Sequence, residues 1–287
     1  MSDAEHFNGP PVPYLNAEFL KSPEARIVRI ISEYLEPAAR LRRYRIRDTI
    51  VFFGSARSTT PELAQAKLDE LQKKIEQAGE STEELKAERL RAEYAVKLAR
   101  YYNDAVELSR RVTEWSKGLT GQHHFIICSG GSGGMMEAAN RGASMARGKT
   151  IGFNIQLPLE QEVNPYVSRE LTFNFHYFFM RKFWFVYPAK ALVVFPGGFG
   201  TMDELFEVLT LIQTKMPHKT MPVILFGKEF WDEIINFDAL VRWGVVSPKD
   251  LDIFYKTDSV DDAYEYLTTR LEELYVTPKG LEEVKLT

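Results

Sequence analysis

The sequence predicts an α/β fold: a mainly parallel, doubly wound sheet with helices on both faces, an N-terminal helical extension and a helical-hairpin insertion. Short, uninterrupted apolar runs at 49–53, 125–128, 150–153 and 191–195 read as strands buried on both faces, not as strands alternating between core and water. Helical stretches separate these runs, the alternation that builds parallel sheets. Two of the runs end in closely spaced glycines followed by a helix. That arrangement puts a ligand at the carboxyl edge of an open sheet.

Composition sets the bounds. The chain has 287 residues, enough for one large α/β domain or two small ones, and a net charge of −4, which gives no overall field for polyanions and argues against nucleic-acid binding. One cysteine, Cys128, excludes an internal disulfide or a cysteine-rich zinc site and favours a reducing compartment. No basic leader precedes an apolar run, and no apolar stretch is long enough to cross a bilayer, so no membrane association is expected and the location expected is cytoplasmic. No internal repeat or composition shift marks a second domain. A single domain is expected over 1–287, with an arm and helix at 1–46, a hairpin at 62–118 and core motifs over 49–267.

In chain order, the proline-containing segment 1–21 reads as an extended surface arm. Residues 23–43 read as an amphipathic helix, with Ile27, Ile30, Ile31, Tyr34 and Leu35 at helical spacing. Its arginine-rich end, Arg40 to Arg45, reads first as a solvated terminus and second as an anion site. The strand at 49–53 runs into Gly54, Ser55 and Arg57, at the edge where ligands sit. Residues 62–117 form a charged helical hairpin broken at 79–82, with Tyr94, Leu98, Tyr101, Tyr102, Ala105 and Leu108 as the packing stripe of its second arm. A crossover needs only about a dozen residues, so the surplus is assigned to oligomerisation or a lid. The strand at 125–128 precedes a loop containing Gly130 and Gly131 and a helix over 135–147. Glu137 in that first turn reads as a dipole or capping residue. Further strands are expected at 171–175, 222–226 and 253–255, with helices at 230–243 and 261–275.

The segment 191–205 is the organising stretch. After its strand, Gly197, Gly198 and Gly200 are expected to take positive φ and bring N–H groups close to a ligand. Thr201 opens a helix whose free N–H groups and dipole suit a phosphate. At 3.6 residues per turn, Asp203 falls in a water-facing row with Glu207, Thr210 and Thr214, whereas Glu204 lies beside the core stripe of Leu205, Leu209 and Ile212. Glu204 is expected to be partly shielded yet held ionised by the helix N-terminus. Upstream, 177–187 is apolar nearly all round if helical, which implies burial in the fold or at a subunit interface. Arg181 and Lys182 inside it need an anionic partner: a carboxylate, a substrate phosphate, or both.

The motif Pro196-Gly197-Gly198-Phe199-Gly200-Thr201 followed by Glu204, the Arg181-Lys182 pair, and Ser129-Gly130-Gly131 before Met135-Met136 resemble, over about 49–267, the LOG ("lonely guy") family in its longer bacterial form. Those proteins are cytokinin riboside 5′-monophosphate phosphoribohydrolases, formerly annotated possible lysine decarboxylases. The resemblance implies a Rossmann-like fold, a homodimer or higher homo-oligomer, and hydrolysis of a nucleoside 5′-monophosphate such as AMP or a cytokinin nucleotide to free base and ribose 5-phosphate. It implies Arg181 and Glu204 as catalytic residues. Gly54, Ser55, Gly130, Gly131, Lys182, Gly197, Gly198, Gly200 and Thr201 are then the substrate-binding set. No cofactor and no metal are expected. One departure bears on the base pocket: several plant-type members have a histidine two or three places before the Arg-Lys pair, where this chain has Phe178 and Phe179.

N-glycoside cleavage passes through a cationic sugar, which Glu204 is placed to stabilise while Arg181 orients the carboxylate and the phosphate. Lysine decarboxylation would need pyridoxal phosphate on a Schiff-base lysine, for which no motif is present. The rival from another class is a non-catalytic nucleotide or molybdenum-cofactor carrier. A pure phosphate binder gains nothing from an acid at Glu204. A single-stranded DNA binder conflicts with the acidic balance.

Overall fold

The computed structural model describes residues 10–78, 82–121, 123–157, 162–216 and 220–277. The chain forms two compact units, Met1–Tyr44 and Arg45–Thr287, where the sequence alone drew one domain.

In the first unit, α1 (Ala17–Lys21) and α2 (Arg26–Arg43) follow a single 3₁₀ turn at Pro13–Leu15. The expected extended arm is therefore partly helical. Asn16 is the reason, since its side chain accepts from the N–H groups of Glu18 and Phe19 and starts α1. Arg29 secures the α1–α2 corner by donating to the carbonyls of Leu20 and Ser22.

The second unit is the α/β body. Its elements are β1 (Asp48–Phe53), α3 (Pro61–Ala78), α4 (Glu83–Gly118), β2 (Phe125–Ser129), α5 (Met135–Met145), β3 (Thr150–Ile155), β4 (Thr172–Phe175), α6 (Phe178–Val186), β5 (Ala189–Val194), α7 (Phe199–Gln213), β6 (Val223–Phe226), α8 (Lys228–Ile234), α9 (Phe237–Arg242), β7 (Phe254–Thr257) and α10 (Val260–Leu271). The seven strands form one sheet in the order β4-β3-β2-β1-β5-β6-β7, and every described pairing is parallel. From β1 the chain builds outward through β2 to β4, then returns to the other side of β1 with β5. The carboxyl ends of β1 and β5 thus flank the point where the winding reverses, the place such sheets reserve for ligands.

Alternate residues along the strands serve opposite faces. Ile50, Phe52, Ala191, Val193 and Phe195 pack with α4, α5 and α10. On the other face, Phe53 meets Phe185 of α6 edge to face at 4.8 Å, and Phe153 meets the same ring at 5.4 Å. The second half of α4 buries Tyr101, Tyr102, Ala105, Leu108 and Val112. Its contact with α5 is close enough that a Cβ on Gly142 would lie 2.1 Å from the Val106 carbonyl oxygen. Tyr94, assigned to the same stripe, is half exposed. Of the expected hairpin break, 79–81 lie outside the described residues, and Thr82 caps α4 by accepting from the Leu85 N–H. The single helix expected at 230–243 is two, because the Asn236 side chain accepts from the Ala239 N–H and starts α9 afresh.

Candidate functional site

Three loops meet at the carboxyl ends of β1, β2 and β5. Register makes them neighbours: Phe53 lies opposite Val194, and Val51 opposite Cys128. Hydrogen bonds then join them, the Ser55 N–H donating to the Pro196 carbonyl at 2.9 Å and the Met135 N–H to the Ser55 carbonyl at 3.0 Å. Gly54 and Ser55, Gly130 and Gly131, and Gly197 to Thr201 therefore line one site. Arg57 continues out of it into solvent.

The glycines serve different needs from those expected. None of Gly197, Gly198 and Gly200 has positive φ; in the site's loops that conformation falls to Gly131 and Gly134, between β2 and α5. Gly197 is required by close approach instead, since a Cβ there would lie 2.2 Å from Thr201 Oγ1. Thr201 itself does not open the helix. α7 begins at Phe199 with extended Gly198 as its cap, and Thr201, buried, folds back over the loop from inside the first turn. Gly198 and Gly200 face open space on their Cβ side.

The earlier helix start moves Glu204 into the second turn, and this changes its chemistry. The helix dipole acts chiefly on the first turn, so burial prevails. Glu204 is 6% exposed, and its Oε2 accepts no hydrogen bond. Burial raises its carboxyl from 4.5 to about 7, although Lys182 and Arg181 pull it down while Glu207 and Asp203 push it up. The expectation of an acid held ionised by the dipole is thus corrected to one poised near neutrality. Such a group exchanges a proton readily at physiological pH.

Arg181 reaches across from α6. Its Nε donates to the Phe153 carbonyl at 2.7 Å, and its guanidinium stands over the Phe185 ring at 4.9 Å. A Cβ on Gly130 would lie 2.7 Å from Nη2, so that glycine makes room for the cation. Burial lowers the pKa of Arg181 and the field of Glu204 opposes the shift. Among the described residues no carboxylate lies within 4.0 Å of it. Lys182, by contrast, is fully engaged: its Nζ donates to Glu207 Oε2 at 2.7 Å and pairs with Asp203 Oδ2 at 2.9 Å. The row assigned to water thus has a second duty, although Asp203 remains largely exposed. α6 itself is only partly covered, with Met180, Trp184 and Phe185 buried and Phe178, Phe179 and Tyr187 at least half exposed.

Sequence reasoning missed the polar network beneath the β2–α5 loop. Asn140 donates to Thr150 Oγ1 at 2.7 Å and accepts from Ser129 and Asn164. Asn164 in turn donates to the Ser132 carbonyl, and its own N–H donates to the Gly131 carbonyl. A signal for Asn140 was present, one amide among the small residues Ala138, Ala139, Gly142 and Ala143. Asn164 gave none. Glu137 accepts from the Tyr102 hydroxyl at 2.7 Å.

Residues 136–267 match the family model described as "Possible lysine decarboxylase". The chain is 30% identical over 195 residues, 67% of its length and 73% of the other, to a probable cytokinin riboside 5′-monophosphate phosphoribohydrolase of Oryza sativa subsp. japonica. It is 26% identical over 164 residues, 55% of its length and 83% of the other, to the cytokinin riboside 5′-monophosphate phosphoribohydrolase of Mycobacterium tuberculosis. Among solved structures, the Moco carrier protein from Chlamydomonas reinhardtii is similar over 79% of this chain and 100% of the other, with a TM-score of 0.42 and 18% identity. With the Oryza relative 30% identical and matched over 73% of its length, this chain belongs to the LOG family.

Proposed function

We propose that the protein hydrolyses the N-glycosidic bond of a nucleoside 5′-monophosphate, releasing free base and ribose 5-phosphate. The observation that carries this reading is Glu204: a buried carboxyl with an unbonded oxygen, poised near pH 7, beside a glycine loop and within the field of Arg181. The N–H groups at the start of α7 and the guanidinium of Arg181 bind and orient the phosphate and sugar. Ionised Glu204 stabilises the positive charge that develops on the sugar ring and takes a proton from the water that adds to the anomeric carbon. The carbon–nitrogen bond breaks toward the base, which leaves with the electron pair and gains a proton. The named relatives act on cytokinin riboside 5′-monophosphates, and AMP offers the same sugar phosphate and a related purine.

A lysine decarboxylase would need a lysine amine free of its proton to carry pyridoxal phosphate. The lysine at this site does not fit that group. Burial alone would lower the pKa of Lys182, but the hydrogen bonds it donates to Glu207 and Asp203, with the charges of Glu204 and Glu207, outweigh burial and raise the pKa.

The test is incubation with a panel of nucleoside monophosphates and the matching nucleosides, followed by assay of free base and ribose 5-phosphate. Release from monophosphates, with nucleosides turned over poorly, is the expected result. Equal turnover of both sinks the phosphate site, and tight binding without base release marks a carrier.

A further inference from the structure

Lys182 is held almost entirely by one helix. Asp203, Glu204 and Glu207 all project from α7 toward it, at 2.9, 3.8 and 2.7 Å respectively. Two acids already occupy this one ammonium, and a dianionic phosphate approaching it meets their negative charge first. The third acid, Glu204, is near enough for charge pairing and beyond hydrogen-bond distance. We propose that Lys182 is a positioning residue that acts through Glu204, seated by Asp203 and Glu207, and is not a ligand of the substrate phosphate. This rests on the N-glycosidase reading of the site.

The charges facing Glu204 come from two elements. α6 contributes the cations Arg181 and Lys182, and α7 contributes the acids Asp203 and Glu207. Because Glu204 Oε2 accepts no hydrogen bond, the ionised form is supported by charge alone. Removing the Lys182 ammonium therefore favours the protonated acid. Neutralising Asp203 and Glu207 favours the ionised form. A merely structural role for the cluster would damage the protein in the same direction in both cases, so the opposed signs separate the two explanations.

The experiment measures kcat and KM against pH for wild type, Lys182→Met and the double variant Asp203→Asn with Glu207→Gln. The Glu204 carboxyl is also titrated directly by carbon NMR of the full chain without substrate. In Lys182→Met the Glu204 titration and the acidic limb of kcat/KM move up by about 1 to 3 pH units, as expected for loss of an opposite charge at this range. Near neutral pH, kcat falls while KM for the monophosphate stays within about threefold. In the double variant both titrations move down, and Lys182→Arg restores the wild-type profile because the charge is retained. A large rise in KM with kcat and pH profile unchanged would make Lys182 a phosphate ligand and overturn the inference. So would shifts of one sign in both variants. If wild type releases no base from any monophosphate, the proposed function fails, and the carboxyl titration still decides the coupling: no change in either variant overturns it. If Lys182→Met does not fold, the double variant and Lys182→Arg carry the same test.

Discussion

Lys182 Nζ lies 3.8 Å from Glu204 Oε2 and a full ångström closer to Glu207, so the cation is shared along one helix face and leaves Glu204 Oε2 without a hydrogen bond. That carboxyl is therefore held between two protonation states by competing influences. Burial raises its pKa, and two cations on α6 restrain the rise.

The first expectation concerns the two adjacent acids. Glu204→Gln lowers kcat by at least ~10², the size typical of losing one electrostatic or acid–base group, with the fold intact. Asp203→Asn costs only a few-fold, because Glu207 still holds Lys182. Steady-state kinetics on the best monophosphate decides it, and the reverse ranking would displace Glu204 from its role.

Stability carries the same information independently of activity. The carboxyl titrates at about 7 when folded against 4.5 as its ordinary value, so between those limits the native state binds the extra proton. Stability attributable to Glu204 is therefore highest at low pH and is lost as pH rises from about 4.5 to 7. At ~1.4 kcal/mol per pH unit, the full effect is about 3 kcal/mol. Denaturant melts across this range should show wild type losing stability relative to Glu204→Gln as pH rises; parallel curves would refute the buried, neutralised acid.

Arg181→Ala should abolish turnover more than it harms folding, since its bond is to a single carbonyl at the site. Arg57 is exposed on its loop, so Arg57→Ala should mainly raise KM. Near-normal turnover in Arg181→Ala would make the cation structural.

Two glycines separate folding from binding. Gly134 has φ +69°, and a Cβ there would lie 2.3 Å from the Ser55 carbonyl oxygen, so Gly134→Ala should lower the melting temperature sharply. Gly198 has negative φ and no atom within 4 Å of an added Cβ. Gly198→Ala should leave stability within about 0.5 kcal/mol and raise KM, because the methyl group would occupy ligand space. An unchanged KM would remove Gly198 from the binding loop.

Phe178, Phe179 and Tyr187 leave one side of α6 uncovered within a single chain. Exposed apolar surface of this kind favours association, and the protein is expected to be at least a dimer with α6 at or near the interface. Sedimentation as a monomer at micromolar concentration would count against this.

Much of this was legible in the residue order, for identifiable reasons. Buried parallel strands need unbroken apolar runs, so 49–53, 125–128 and 191–195 declared themselves, and their helical spacers dictated a parallel sheet. Helical phase alone separated Glu204 from Asp203, and their exposures differ in that sense. Local chemistry misled where two signals competed. Gly200 suggested a loop ending at Thr201, yet the backbone entered the helix at Phe199, and Asn236 restarted a helix that hydrophobic spacing joined. What no sequence pattern expresses is the distance between side chains from different elements. Packing α6 beside α7 set Lys182 among three acids, and the resulting field, with burial, decides the proton on Glu204. The network of Asn140 and Asn164 likewise exists only once the segment around 164 folds against α5. Sequence determined the strands, most of the helices and the side of α7 on which Glu204 lies, because those follow from local periodicity; it did not determine the cover of α2, whose Ile27, Ile31, Tyr34 and Leu35 are exposed, and tertiary structure alone decided the charge state of the site, because electrostatic interaction depends on separation and solvent exclusion.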